Sequence, residues 1–140
     1  SKFNLRKMLH FALDGITADK VTCGEQQPES DHFVKMQHAN MGDDEGVHWR
    51  ETAGWFSYQM KTNGKKVAKV RISYRPENRR DAKVYVNDVQ IGALPVGEGG
   101  WISSELAIPA ELQAQEVLIV KVGKGNTRVT PHIYEIRLTE

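Results

Sequence analysis

Gly54-Trp-Phe-Ser-Tyr-Gln-Met60, the Asn63-Gly64 pair behind it and Ala68-Lys-Val-Arg-Ile-Ser-Tyr-Arg75 decide the fold class. Phe56, Tyr58 and Met60 fall on one face of an extended chain, with Trp55, Ser57 and Gln59 on the other. Ala68, Val70, Ile72 and Tyr74 then alternate with Lys69, Arg71, Ser73 and Arg75. Period two with one wet face is the mark of a half-buried strand. Asn-Gly between two such runs predicts a tight hairpin. The pattern repeats outward: Ala82 to Asn87 with Val84 and Val86 inward, a turn at Asn87-Asp88, Val89 to Leu94, and Trp101 to Ile108. A β-branched run, Glu116 to Val122, reads as a central strand, and His132, Tyr134, Ile136 and Leu138 alternate to the end. Pro109-Ala-Glu-Leu-Gln113 allows one helical turn. Strands recurring this closely, with no long helix between them, predict an all-β antiparallel sandwich, jelly-roll-like, rather than a parallel α/β sheet.

The chain has 140 residues, the size of one domain. Its 19 basic and 18 acidic residues leave a net charge of +1, so no global field draws it to nucleic acid or membrane. Arg75, Arg79 and Arg80, interrupted by Glu77 and Asp81, read as a solvated turn. The single cysteine, Cys23, excludes an internal disulfide and a thiolate metal cage, and is expected to be a buried apolar residue. No run is long enough to span a bilayer, and Ser1 to Asp14 lacks the signal-peptide pattern. Phe3 to Leu13 is amphipathic without an evident cap. Residues 1–18 are therefore expected to be a segment from an upstream inter-domain region, and residues 19–140 the sandwich.

The least regular stretch, Cys23 to Thr52, holds most of the reactive side chains. Glu25, Glu29, Asp31, Glu45, His32 and His48 supply acids and bases, but glycoside hydrolysis needs two carboxylates about 5 to 9 Å apart across a cleft. A small sandwich rarely has such a cleft. Asp43-Asp-Glu45, between glycines, is either a solvated acidic turn or a structural calcium site, although it lacks the ligand period of a calcium loop. His32, His38 and His48 have no zinc-site spacing. Aromatic rings that cover the apolar faces of sugars, beside groups that bond hydroxyls, make Trp49, Arg50, His32, Asn40 and Trp101 the candidate carbohydrate-binding residues. The competing reading keeps the tryptophans as packing. It makes Glu25, Glu29, Asp31 and Arg50 a polar network that fixes the irregular loop to the sandwich, with His32 bonded to backbone.

An ordered series of motifs, Gly24-Glu-Gln-Gln-Pro-Glu-Ser-Asp-His32, Asn40-Met-Gly42, His48-Trp-Arg50 and Gly54-Trp-Phe-Ser-Tyr58, resembles the C-terminal domain of the β-L-arabinofuranosidase-type glycoside hydrolases, family 127 and its relatives, common in gut Bacteroides-like bacteria. The resemblance runs from about Asp19 to Leu138, through Val84-Tyr-Val-Asn-Asp88 and Ile133-Tyr-Glu-Ile-Arg137. It implies a β-sandwich of the carbohydrate-binding-module or galactose-binding-like kind, appended behind a helical barrel that carries a zinc-bound cysteine nucleophile, further cysteine ligands and a glutamate. With Cys23 alone, those positions have no counterpart in this chain. The expected function is a non-catalytic accessory domain, partnered by the catalytic domain of the same polypeptide, which it packs on and stabilises. The alternative is a module binding plant-type, arabinose-containing glycan. Neither cofactor, nucleic-acid partner nor membrane insertion is expected, and the parent protein is expected to be periplasmic or secreted.

Overall fold

Period-two alternation becomes nine strands among the described residues, every ladder between them antiparallel. The structure is a computed structural model describing residues 2–140, without the side chains of residues 2–4 and 6. Ser1, the first residue of the expected N-terminal segment, lies outside the described residues, as does the side chain of Phe3. The strands are β1 Thr17–Thr22, β2 Lys35–Asp44, β3 Val47–Lys61, β4 Lys69–Arg75, β5 Ala82–Val86, β6 Val89–Leu94, β7 Ile102–Ala107, β8 Val117–Lys124 and β9 His132–Thr139. A helix α1, Lys2–Gly15, precedes them. A short helix α2, Gln26–Asp31, links β1 to β2, and a single 3-10 turn, Ala110–Leu112, precedes β8.

One layer runs β2-β3-β8-β5-β6 and the other β1-β9-β4-β7. They join through β3, which is long enough to leave its own layer: its second half pairs with β8, and its first half meets β9 where Arg50 lies opposite Ile133. Between the layers Phe56, Tyr58, Met60, Leu118, Val120 and Val122 face Val70, Ile72, Tyr74, Ile133, Ile136 and Leu138, all without solvent exposure. Each such side chain contributes about 1.5–3 kcal/mol by leaving water, and their number makes this face the source of the fold's stability.

Three expectations need correction. Asn63-Gly64 does turn, with both residues at positive φ, but it makes no hairpin: β3 pairs with β2, β8 and β9, and β4 with β7 and β9, so the turn carries the chain between layers. Tight two-residue hairpins form instead at Asn87-Asp88, which joins β5 to β6 with Val86 opposite Val89, and at Glu45-Gly46, which joins β2 to β3, all four residues at positive φ. The segment Cys23 to Thr52 is largely regular, holding α2, β2 and the start of β3. β2 escaped notice because it is an edge strand, exposed along most of its length and bulged near His38. In β9 the ladder to β4 skips Tyr134, so this bulge places Ile133, not Tyr134, in the core. The expected boundary at residue 18 falls inside β1, and the segment before that strand is helical.

Ile136 sits between Val21 of β1 and Ile72 of β4. Truncation by Ile136→Ala leaves a cavity that neither neighbour can fill, and should cost about 3 kcal/mol. The check is urea denaturation: the midpoint should fall with the slope unchanged.

Candidate functional site

The motif residues converge first on a buried ion pair. Pro28 and the turn at Gly24 aim α2 so that Glu29 points inward, while β3 presents Arg50 from the opposite side; each side chain is 5% exposed. Arg50 donates from Nε to Glu29 Oε2 and from Nη2 to Oε1, both at 2.7 Å, and Tyr58 donates its hydroxyl to Oε2 at 2.5 Å. The sulfurs of Met36 and Met41 lie 3.3 and 3.6 Å from the outer guanidinium nitrogens. Burial alone would raise the Glu29 pKa, but the bonds from Arg50 and Tyr58 prevail and hold it below the usual carboxylate value. The bond to Glu29 raises the Arg50 pKa further. Burial drives the Tyr58 phenol far above its ordinary value and pushes the Cys23 thiol up to about 12, leaving that thiol inert. Glu25 and Asp31 stand outside this network. Asp31 accepts from Gln27 on the surface, and Glu25 contributes only its backbone at the start of α2.

His32 ends α2 and is held at both ring nitrogens: Nδ1 lies 2.6 Å from the Pro28 carbonyl and Nε2 2.8 Å from Asp19 Oδ1. Two acceptors favour the doubly protonated ring, and the bond to Asp19 raises the His32 pKa. Asp19 also takes the Lys61 amide N–H at 2.9 Å. His32 is therefore part of a brace between β1, α2 and β3, and its ring nitrogens have no capacity left for a sugar hydroxyl.

Trp49 is held by glycine on two sides. Opposite it on β2, Gly42 has no Cβ because the indole occupies that space, and Gly24, at φ +81°, lies against the Trp49 backbone. The ring stacks on His132 at 3.6 Å, nearly parallel. Around that stack Asp44, Glu51 and Glu77 approach His132, while Arg75 pairs with Asp44 and Arg80 with Glu51. Of the three arginines expected in a solvated turn, Arg75 and Arg80 thus hold the β2–β3 hairpin, while Arg79 is exposed. Burial would raise the Asp44 pKa, but the bond from His132 and the nearby Trp49 N–H together hold it down. Asp43 accepts the Gly46 N–H at 2.9 Å and closes the hairpin turn. Among the described residues no group of three or more His, Cys, Asp or Glu is arranged to hold a metal ion.

Trp101 lies elsewhere from Arg50, His32 and Asn40, the last of which sits exposed on β2 opposite Glu51. Trp101 meets Tyr134, the bulge residue of β9, edge to face at 5.2 Å. With Ser103 these rings line a groove between the outer face of the β1-β9-β4-β7 layer and helix α1, which adds Leu9 and His10. Arg137, 2% exposed, ties α1 down by donating to Asp14 at 2.6 Å, while Glu135 binds its other side at 2.6 Å. Of the candidate carbohydrate residues, only Trp101 lines this groove; Trp49, on β3, stacks instead on His132 of β9. Tyr134, Ser103 and Arg71 were missed because only the bulge and the β4–β7 register bring them to one face.

The chain belongs to a family of unknown function, DUF6805, whose pattern it matches over residues 12–139. No curated protein matches it. Its fold is similar to that of solved structures at low identity. The ANXUR1 extracellular domain of Arabidopsis thaliana matches with a TM-score of 0.61 and 13% identity over 87% of this chain and 42% of that one. A family 35 carbohydrate binding module from Clostridium thermocellum matches with a TM-score of 0.58 and 10% identity over 84% of this chain and 95% of that one. Another from Paenibacillus barcinonensis gives 0.54 and 11% over 76% and 92%. The chain thus spans about two fifths of the plant ectodomains and nearly the whole of the bacterial modules. These likenesses establish the antiparallel sandwich fold.

The two braces should respond oppositely to pH. Glu29→Gln leaves the Arg50 charge buried without its counter-ion and should cost about 3–5 kcal/mol at neutral pH. The Glu29 pKa is lower folded than its ordinary 4.5. Its stabilisation is therefore complete above that value and fades as pH falls through the folded one. The His32 pKa is higher folded than its ordinary 6.5, so its stabilisation is complete below 6.5 and is lost as pH rises through the folded value. Denaturation of the native chain, Glu29→Gln and His32→Asn from pH 3 to 9 checks both: the first variant's deficit should narrow in acid, the second's in alkali.

Proposed function

We propose that this DUF6805 domain is a non-catalytic carbohydrate-binding module, and that glycan lies in the groove beside Trp101 and Tyr134. The supporting observation is that aromatic pair, half-buried and flanked by Ser73, Ser103 and Arg71 on neighbouring strands. Aromatic surface covers the apolar face of a sugar ring, and the hydroxyl and guanidinium groups answer its hydroxyls. The likeness in fold to two family 35 carbohydrate binding modules agrees with this reading. The two bonded acids agree too. Glu29 is saturated by Arg50 and Tyr58, and Asp19 by His32 and Lys61, which leaves neither as a free general acid or base.

A second reading, favoured by α1, is that the domain packs on a catalytic part of the same polypeptide, of the β-L-arabinofuranosidase type, and travels with it to the periplasm or beyond the cell. Leu5, Met8, Leu9 and Phe11 are exposed on that helix, Phe11 by 84%, and contiguous exposed apolar surface marks an interaction site. No described helix is long and apolar enough to cross a membrane. In the longer polypeptide, Met8→Ser with Phe11→Ser should lower the melting temperature of the whole while leaving that of the isolated domain unchanged. Equal effects on both would remove this reading.

The glycan reading is tested by titrating arabino-oligosaccharides into labelled protein. Amide and indole signals should move at Trp101, Ser103 and Tyr134, and Trp101→Ala should weaken binding at least tenfold, about 1.4 kcal/mol. Trp55→Ala, on the outer face of the other layer where the indole bonds Gln37, should change nothing. Shifts confined to His32 and Asn40 would move the site away from the groove.

A further inference from the structure

We infer that the groove takes an internal stretch of an extended glycan chain, with α1 as one of its walls, and does not capture a single sugar or a chain end. This rests on the carbohydrate reading above and specifies its ligand. The space beneath α1 consists of two cavities of about 630 and 520 Å³ that share Leu9, His10, Ser103 and Tyr134 as lining. Shared walls make one continuous trough, and each half alone has the volume of a small-ligand site. At one end stand Trp101 and Val47; at the other, Arg71 and Ile16.

The strand register gives its length. Ile102 lies opposite Tyr74 and Glu105 opposite Arg71, so the trough extends from just before the first pair to the second. Four residues of antiparallel strand rise about 13 Å, more than one sugar ring occupies. Its chemistry is distributed along that length: an aromatic pair at one end, serine hydroxyls in the middle, and the Arg71 guanidinium at the other. A site for a single sugar would concentrate these groups around one point. The wall opposite the sheet is fastened near its C-terminal end, where Asp14 accepts from Arg137, Thr17 donates its hydroxyl to the Leu13 carbonyl and Lys65 donates to the Gly15 carbonyl. Leu9 and His10, one turn further out, are exposed and face the trough.

Affinity electrophoresis through soluble arabinan, arabinoxylan and galactan identifies a retained polymer. Calorimetry then compares its monosaccharide, trisaccharide and hexasaccharide. Affinity should rise at least tenfold from one unit to six, and Leu9→Ser with His10→Ala should weaken the hexasaccharide several-fold while the thermal midpoint stays unchanged. Equal affinity for one unit and six would overturn the inference and leave the carbohydrate reading standing. A length dependence untouched by the α1 variant would overturn the groove as its location. Retention by none of the polymers would sink both.

Discussion

The pairing of Glu29 with Arg50 is the constraint on which the arrangement of this domain depends. β3 has to serve two layers, and Arg50 marks the place where it crosses from one to the other. A charge at such a crossing is tolerated only if its partner arrives with matching geometry, because an uncompensated ion in the interior costs several kcal/mol. α2 brings that partner, Tyr58 fills the remaining lone pair of Oε2, and two methionine sulfurs cover the outer nitrogens. Replaced by well-packed apolar residues, such a pair would often be no less stable. What the ion pair adds is direction. It admits one orientation of α2 over β3, and so one path for the chain from β1 into the β2–β3 hairpin.

The glycines of the motif make sense in that light. Gly24 lets the turn before α2 approach the Trp49 backbone, and Gly42 leaves room for the indole. With the ring seated there, it stacks on His132 and pulls the hairpin tip toward the opposite layer, where Arg75 and Arg80 meet its acids. The motif is thus a fastening of one hairpin to the sandwich. Its density of polar residues reflects the number of directional contacts that hold an exposed edge strand in place.

The strands were legible where burial on one face imposes period two, as in β3, β4 and β5, or where β-branched residues crowd together, as in β8. They were illegible where no face is buried, as in β2, or where a bulge shifts the period, as at Tyr134. Asn63-Gly64 and Asn87-Asp88 show the limit of local reading most sharply. Both pairs have positive φ, yet one closes a hairpin and the other crosses between layers. Backbone geometry at a turn specifies a change of direction, and only the partners available to the next strand decide where the chain goes. The pairing of Glu29 with Arg50 was within reach of charge complementarity inside one motif. The groove was not, because its residues come from α1, β3, β4, β7, β9 and the loop before β7 and share no sequence neighbourhood.

That contrast bears on where function resides in such a fold. A sandwich must keep its inner faces apolar and its edges fastened, and in this domain those demands absorb the most conspicuous residues of the sequence. The outer face of the β1-β9-β4-β7 layer is under neither demand. It nevertheless carries two aromatic rings set edge to face, paired serine hydroxyls, and a fully buried arginine that ties a helix alongside. Stability does not require rings on a wet face beside an overhanging helix. We propose that a ligand is recognised on this face, whose residues stay inconspicuous in the sequence because they are scattered over a helix, several strands and the loop before β7.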